Sequence, residues 1–270
     1  LKNAVVYVFG QAFIGGFHVG KYDKSGKRSA RTAEKIRYFL ERDQTATYLF
    51  AMPLSTFLNL NPARQAEILD VCFEEFALND YRNASVSRIV RRLKLAKGSF
   101  YRYFEHKRDL YAYLIDQATV MRLENVRERL ADTEQDFFLL MVENFQARLQ
   151  FDLQHPLIGG FLYNVMQERN EEELGNLLLH TKFRIMQVVK PMLAAQQERG
   201  KIRTDLDLDL LAYSVVQVQM GIYDYLAMLF QIDFRENIRN RQPVLSVPKE
   251  ILNHIVSQFS ETLRSGLQPS

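Results

Sequence analysis

The sequence predicts an all-α fold, with a small basic three-helix unit ahead of a larger helical region. Three observations carry that reading. From Asn61 onward apolar residues recur every three or four positions almost without interruption. Strand-like alternation of any length is absent. The punctuation is that of helices, such as Asn61-Pro62 at a start and Gly200 at an end. The 270 residues are 47% hydrophobic and 25% charged, which excludes collagen-like and disordered chains. Cys72 is the one cysteine, and no HxxxH or CxxC spacing occurs, so neither a disulfide framework nor a metal or other cofactor is expected. A reducing, cytoplasmic setting follows.

Residues 1–51 differ from the rest. Five of the twelve glycines fall within the first 26 residues, and Ala4–Gly20 is a charge-free stretch of 17 residues between Lys2 and Lys21. A membrane anchor is rejected, because a span needs about 20 predominantly apolar residues and this stretch holds Gln11, His18 and four glycines. Two readings stay open: a poorly ordered extension, which is preferred, or upstream sequence read in frame ahead of a working protein that begins near Met52.

In the next region Asn61 is a good N-cap with Pro62 at the first helical position, and Ala66, Leu69, Cys72, Phe73 and Phe76 mark the apolar stripe of a first helix ending at Asn79-Asp80. Cys72 lies on that stripe and reads as a small buried hydrophobe. Ser85 caps a second, short helix whose Val86, Ile89, Val90 and Leu93 point inward while Arg88, Arg91 and Arg92 take other faces. After a tight connection at Lys94-Leu95-Ala96, a third helix is expected from Lys97 to about Phe104, with Phe100 and Phe104 on its buried side. Two short helices on a three-residue turn cross steeply over the first, which is a helix-turn-helix. The third would protrude, and a helix fits the major groove of B-form DNA. Charge placement agrees: residues 82–108 hold nine Lys and Arg against one acid, Glu105, whereas residues 111–270 hold 16 basic and 21 acidic side chains.

Beyond Lys107 helices are expected near 107–130, 134–153, 161–168, 171–198, 206–230 and 248–266, with breaks at Asp132-Thr133, His155-Pro156, Gly159-Gly160, Gly200 and from Arg235 to Pro248. The helix at 206–230 is apolar around too much of its circumference for one core, which favours a second, intersubunit contact. Phe137, Phe138, Met141, Phe145, Phe161, Met166, Phe183, Met186, Met220 and Tyr223 read mostly as ordinary core.

The run Ser85-Val86-Ser87-Arg88-Ile89-Val90, then Leu95 through Phe104, then Lys107 and Leu110, resembles the DNA-binding domain of TetR-type (tetracycline-repressor-like) transcriptional regulators. Gly98-Ser99-Phe100-Tyr101-x-Tyr103-Phe104-x-x-Lys107-x-x-Leu110 is the most specific part. Two positions depart from the family: Lys94 where Gly is usual and Ala96 where Ser is usual. A left-handed Lys94 costs roughly 1 kcal/mol and the missing cap about as much again.

The resemblance implies a DNA-binding domain over 61–108 and a helical ligand-binding and dimerisation domain over 109–270. It also implies a ligand-responsive regulator, a repressor released from a double-stranded operator by a small apolar effector. Carried over residue by residue, it gives Ser85, Ser87, Lys97, Gly98, Ser99, Tyr101, Arg102, Tyr103 and Lys107 as DNA-binding positions. The homodimer would form through the helices near 206–230 and 248–266, and some of the apolar residues above would line the effector cavity; which ones, and which effector, stays open. Two other readings are weighed. An enzyme is disfavoured because His18, His106, His155, His180 and His254 are scattered, and Glu171-Glu172-Glu173 reads as a helix start, so no catalytic constellation is found. A helical adaptor with a degenerate DNA-binding module rests only on Lys94 and Ala96.

Overall fold

The computed structural model describes residues 53–124, 136–168, 171–175, 177–240, 242–245 and 247–267. The readings of residues 1–51, and of a break at Asp132-Thr133, lie outside the described residues. Every regular element among the described residues is a helix: α1 Ser55–Leu58, α2 Pro62–Leu78, α3 Val86–Arg92, α4 Lys97–Phe100, α5 Lys107–Glu124, α6 Phe137–Gln154, α7 Pro156–Gln167, α8 Glu171–Leu174, α9 Leu177–Glu198, α10 Leu208–Phe230, α11 Phe234–Arg239 and α12 Lys249–Leu267. None of the described helices is long and apolar enough to cross a membrane.

Local chemistry sets most of the helix starts. The side chains of Asn61, Ser85, Asp136, Asp207 and Asp233 each accept a backbone amide of the following first turn, satisfying donors that have no partner inside a helix. Pro62 and Pro156 occupy first-turn positions where a missing N–H costs nothing. The α2 stripe is centred on Ile68, Cys72, Phe73 and Phe76; Ala66, expected on it, faces solvent.

Four expectations need correction. The third helix is α-helical only over Lys97–Phe100. Beyond it the Arg102 and Tyr103 amides reach carbonyls three residues back, Ser99 at 3.2 Å and Phe100 at 2.8 Å, so the chain tightens into turns before Phe104. Gly159 and Gly160 do not break a helix but lie inside α7. A Cβ on Gly159 would come within 2.8 Å of Asp152 Cβ, and one on Gly160 would overlap Ile238 Cδ1, so these glycines permit close packing against α6 and α11. The segment 171–198 is two helices, separated at Gly175, whose φ is +54°. Residues 235–248, read as a break, contain most of α11, and Phe234 and Ile238 bury its inner face.

Three apolar clusters hold the fold. The first runs from Phe57 through α2, α3, α4 and α5 into Phe161, Leu162 and Val165 of α7, with no gap at residue 108. Phe161 stacks edge-on against Phe73 at 5.4 Å and Tyr111 at 5.4 Å. Polar ties follow the same seam: Asn164 Nδ2 donates to the Phe76 and Ala77 carbonyls, and the Tyr81 amide donates to Glu168 Oε2 at 2.9 Å. The second cluster joins α6, α10, α11 and α12, and the third joins the start of α6 to α9, α10 and the end of α12.

Candidate nucleic-acid interface

The reading head is built from α3, α4 and the turn between them. Lys94 has φ +55°, in the left-handed region that favours glycine, and two hydrogen bonds hold it there. The Lys94 amide donates to the Arg91 carbonyl at 3.2 Å and the Leu95 amide donates to Val90 at 2.8 Å, the paired bonds of a Schellman ending. Leu95 packs on the core beyond it. Ala96 is the N-cap of α4 and offers no side-chain acceptor, as its methyl dictates. The expected turn geometry is therefore present with a lysine in the strained position.

Under α4 lies an aromatic base. Phe100 and Phe104 are buried, and Phe57 of α1 meets Tyr103, Phe104 and Tyr113 at ring distances of 5.9, 5.2 and 5.9 Å. The Leu54 amide donates to the Tyr103 carbonyl at 2.8 Å. Sequence reasoning missed this brace, because α1 has only four residues and no periodicity to detect. The signal available was a phenylalanine just upstream of Asn61.

The expected DNA-binding residues sort by exposure. Gly98, Tyr101, Arg102 and Ser87 face solvent; Tyr101 is 50% exposed, and a Cβ on Gly98 would meet nothing within 4 Å. Ser85, Ser99 and Tyr103 are half-buried, and Ser85 Oγ accepts the Arg88 amide as the α3 cap. Lys97 opens α4; its side chain lies outside the described residues. Lys107 is half-buried, its ammonium donating to the Tyr81 carbonyl at 2.8 Å and the Ala84 carbonyl at 3.3 Å, with the Tyr81 ring 4.3 Å away. That leaves one of its three protons for a phosphate.

Not every cation of the basic window faces outward freely. Arg88 forms a fork with Glu75, whose side chain is buried, at 2.9 Å from Nε and 2.5 Å from Nη2. Glu75 also accepts the Ser85 amide at 2.8 Å, so one carboxylate fixes both the start of α3 and its first arginine. Hydrogen bonding to Glu75 raises the Arg88 pKa. Arg92 pairs with Glu74 at 2.5 Å. A charge count over 82–108 could not see these acids, since they sit one helix upstream. Arg82, Arg91, Lys94 and Arg102 remain exposed.

Cys72 is 1% exposed, and burial, reinforced by nearby Glu75, pushes its thiol pKa far up, which removes it as a nucleophile. Glu105, His106 and Asp109 bring potential ligand atoms within 4.8 Å of one another. The Asp109 carboxylate, however, already accepts the His106 amide at 2.9 Å as part of the α5 cap.

Comparison with known proteins agrees with this geometry. The family described as bacterial regulatory proteins, tetR family, matches residues 68–114 through its N-terminal domain. The HTH-type transcriptional regulator YdgC of Bacillus subtilis (strain 168) is 27% identical over 169 residues, 60% of this chain and 78% of that one. A TetR family transcriptional regulator from Chloroflexus aurantiacus J-10-fl is 26% identical, with a TM-score of 0.57 over 81% of this chain and 100% of that chain. The regulatory protein TetR from Rhodobacter sphaeroides, 16% identical with a TM-score of 0.52 over 74% of this chain and 96% of its own, shares the fold. These relatives carry the names of transcriptional regulators. With α3, the strained turn and α4 inside the matched segment, the helix-turn-helix of this chain is similar to that of the TetR family of transcriptional regulators.

Proposed function

We propose that this regulator is a ligand-responsive repressor that holds a two-fold operator as a homodimer and is released by a small effector bound in its C-terminal body. The observation that carries the DNA contact is the exposed edge of α4, with Gly98 open and Tyr101 and Arg102 in solvent on a rigid aromatic base. In this reading Lys97, Gly98, Ser99 and Tyr101 enter the major groove, while Arg102 and Tyr103 meet backbone or bases. Ser85, Ser87 and Lys107 hold phosphates, and the exposed cations Arg82, Arg91 and Lys94 add sequence-independent attraction.

The dimer is supported by what α10 leaves outside. Leu211, Ala212, Val215, Val216, Ile222 and Leu226 are buried, yet Leu210, Tyr213, Tyr225, Met228 and Leu229 are exposed on the same helix, Met228 at 70%. Ile251 at the start of α12 joins them, and Tyr225 meets Phe259 of α12 at 5.6 Å, so α10 and α12 form one apolar surface. A partner copy covering it forms a four-helix contact and sets the two α4 helices about one turn of DNA apart, near 34–36 Å. Effector control then works by differential affinity: a ligand that prefers another spacing weakens the operator complex, typically by ~1–3 kcal/mol. The domain division is 61–108 for reading and 109–270 for ligand and partner, with α1 added to the reading head.

Footprinting on DNA flanking the native gene, followed by gel shifts with Lys97→Ala and Tyr101→Ala, tests the reading. Each variant is expected to weaken the operator complex by ~1–3 kcal/mol while keeping the parent melting temperature. Unchanged shifts for both variants sink the proposed reading face. A flat response of wild-type binding to salt sinks the DNA contact altogether.

A further inference from the structure

The C-terminal body buries charge, and that charge does not balance. Asn144, Arg148 and Asp152 follow one another at four-residue spacing on α6 and therefore share one face. Asp152 is 1% exposed and fully engaged: Arg122 donates from Nε at 3.1 Å and from Nη2 at 2.5 and 2.6 Å, and the Tyr223 hydroxyl donates at 2.8 Å. Both guanidiniums lie over the Tyr223 ring, Arg122 at 5.9 Å and Arg148 at 5.7 Å. Arg148 meets Gln219 Oε1 at a long 3.3 Å, and no carboxylate pairs with it among the described residues. Two guanidiniums at one ring, with one carboxylate that pairs with Arg122, leave an excess of one positive charge.

Arginine does not relieve such a site by losing its proton. Burial acts against both charges. For Arg122 the attraction of Asp152 and Tyr223 outweighs it and the pKa stands above the ordinary value; for Arg148 burial prevails and the pKa is lowered. One turn before Arg148, Asn144 is 8% exposed and its side-chain oxygen has no hydrogen-bond partner. A terminal amide can present either its oxygen or its nitrogen, so this group can accept from or donate to whatever completes the site. The ring beside Arg148 has an apolar neighbour. Phe145 packs on Tyr223 at 5.2 Å, and residues 217–221 of α10, which carry Gln219 and Met220, are half-buried.

We infer that Arg148, with the Asn144 amide one turn away and the Tyr223 ring beside it, is the anion-binding end of the effector site, and that the effector is a monocarboxylate on an apolar skeleton. The inference rests on the ligand-responsive reading above and replaces a purely apolar effector with an amphiphile. A single negative charge cancels the excess of one; a phosphate dianion would leave a new buried charge uncompensated. The guanidinium fork matches a carboxylate in two parallel hydrogen bonds, and the Asn144 amide supplies a further polar contact.

The test uses the full chain and four probes: decanoate and 4-phenylbutyrate, each against its primary amide. Thermal shift and calorimetry are expected to show at least one carboxylate binding ten-fold or more tightly than its amide. Arg148→Met is expected to fold with an unchanged or higher melting temperature, since it removes a half-buried cation that no carboxylate pairs among the described residues. It is expected to reduce carboxylate affinity by roughly 10- to 100-fold with amide affinity unchanged. Arg148→Lys is expected to recover part of the preference. Equal binding of acids and amides, a carboxylate preference that survives Arg148→Met, or no binding by any of the four at millimolar concentration each overturns the assignment. Operator release is read separately: Arg148-dependent carboxylate binding that leaves the DNA complex intact keeps this site and overturns the ligand-responsive reading. Release by the amides alone does the opposite.

Discussion

The reading head and the C-terminal body distribute charge and apolar surface in opposite ways. In the head, aromatic rings from Phe57 to Phe104 are buried and cations such as Arg91, Lys94 and Arg102 stand in water, with Glu74 and Glu75 taking Arg92 and Arg88. In the body, Asp152 is buried and Arg122 and Arg148 are half-buried beside it, while Leu210, Tyr213, Met228 and Leu229 are left outside. An exposed cation is cheap in water and becomes useful when a phosphate arrives. A buried one, or an exposed apolar row, is costly until something covers or neutralises it. The contrast teaches that the head, whose core continues into α7, leaves cations outside, whereas the body leaves apolar side chains outside. In the reading proposed here, a second copy and an acidic ligand complete the body.

Breaking the buried cluster gives the largest effect. Asp152→Ala leaves Arg122 beside Arg148 with no counter-charge and is expected to cost about 3–5 kcal/mol in urea unfolding, whereas a surface-like loss below ~1 kcal/mol would mean water reaches the cluster. Next comes the brace under α4. Phe57→Ala is expected to lose about 3–4 kcal/mol and to weaken DNA binding in parallel; a neutral result would make α1 an appendage rather than part of the head. Joint replacement Leu210→Glu and Met228→Glu sharpens the comparison on the other side. Sedimentation is expected to show a monomer with a near-native circular dichroism spectrum, and a persistent dimer would move the interface elsewhere. The smallest effect is a gain: Lys94→Gly relieves the left-handed backbone and is expected to stabilise by about 0.5–1 kcal/mol, while reducing the salt dependence of DNA binding if the Lys94 ammonium lies near a phosphate.

Much of the head was legible because its determinants are neighbours in sequence. Asn61 and Ser85 cap the helices that follow them, the stripe through Cys72 and Phe76 turns inward, and Lys94 takes the left-handed turn that its position implies. Legibility ended where a residue's role depends on a distant partner. Gly159 and Gly160 look like helix breakers until Asp152 and Ile238 are seen against them, and they then mark the closest packing of α7. Arg88 looked like a free cation until Glu75, 13 residues upstream, closed a fork on it. Gly175 divides a stretch that reads as one helix, because only its backbone angle distinguishes a break from a tolerated glycine.

The sequence by itself determined the helical class, the helix-turn-helix and the amphipathic faces, since periodicity and capping act over one or two turns of chain. Only the tertiary structure decided which cations stay free and which are tied down, and that arginines from α5 and α6 meet at the Tyr223 ring while Asp152 takes Arg122. Coulomb and desolvation energies depend on distances between residues 30 apart in the chain, and those distances are properties of the folded packing alone.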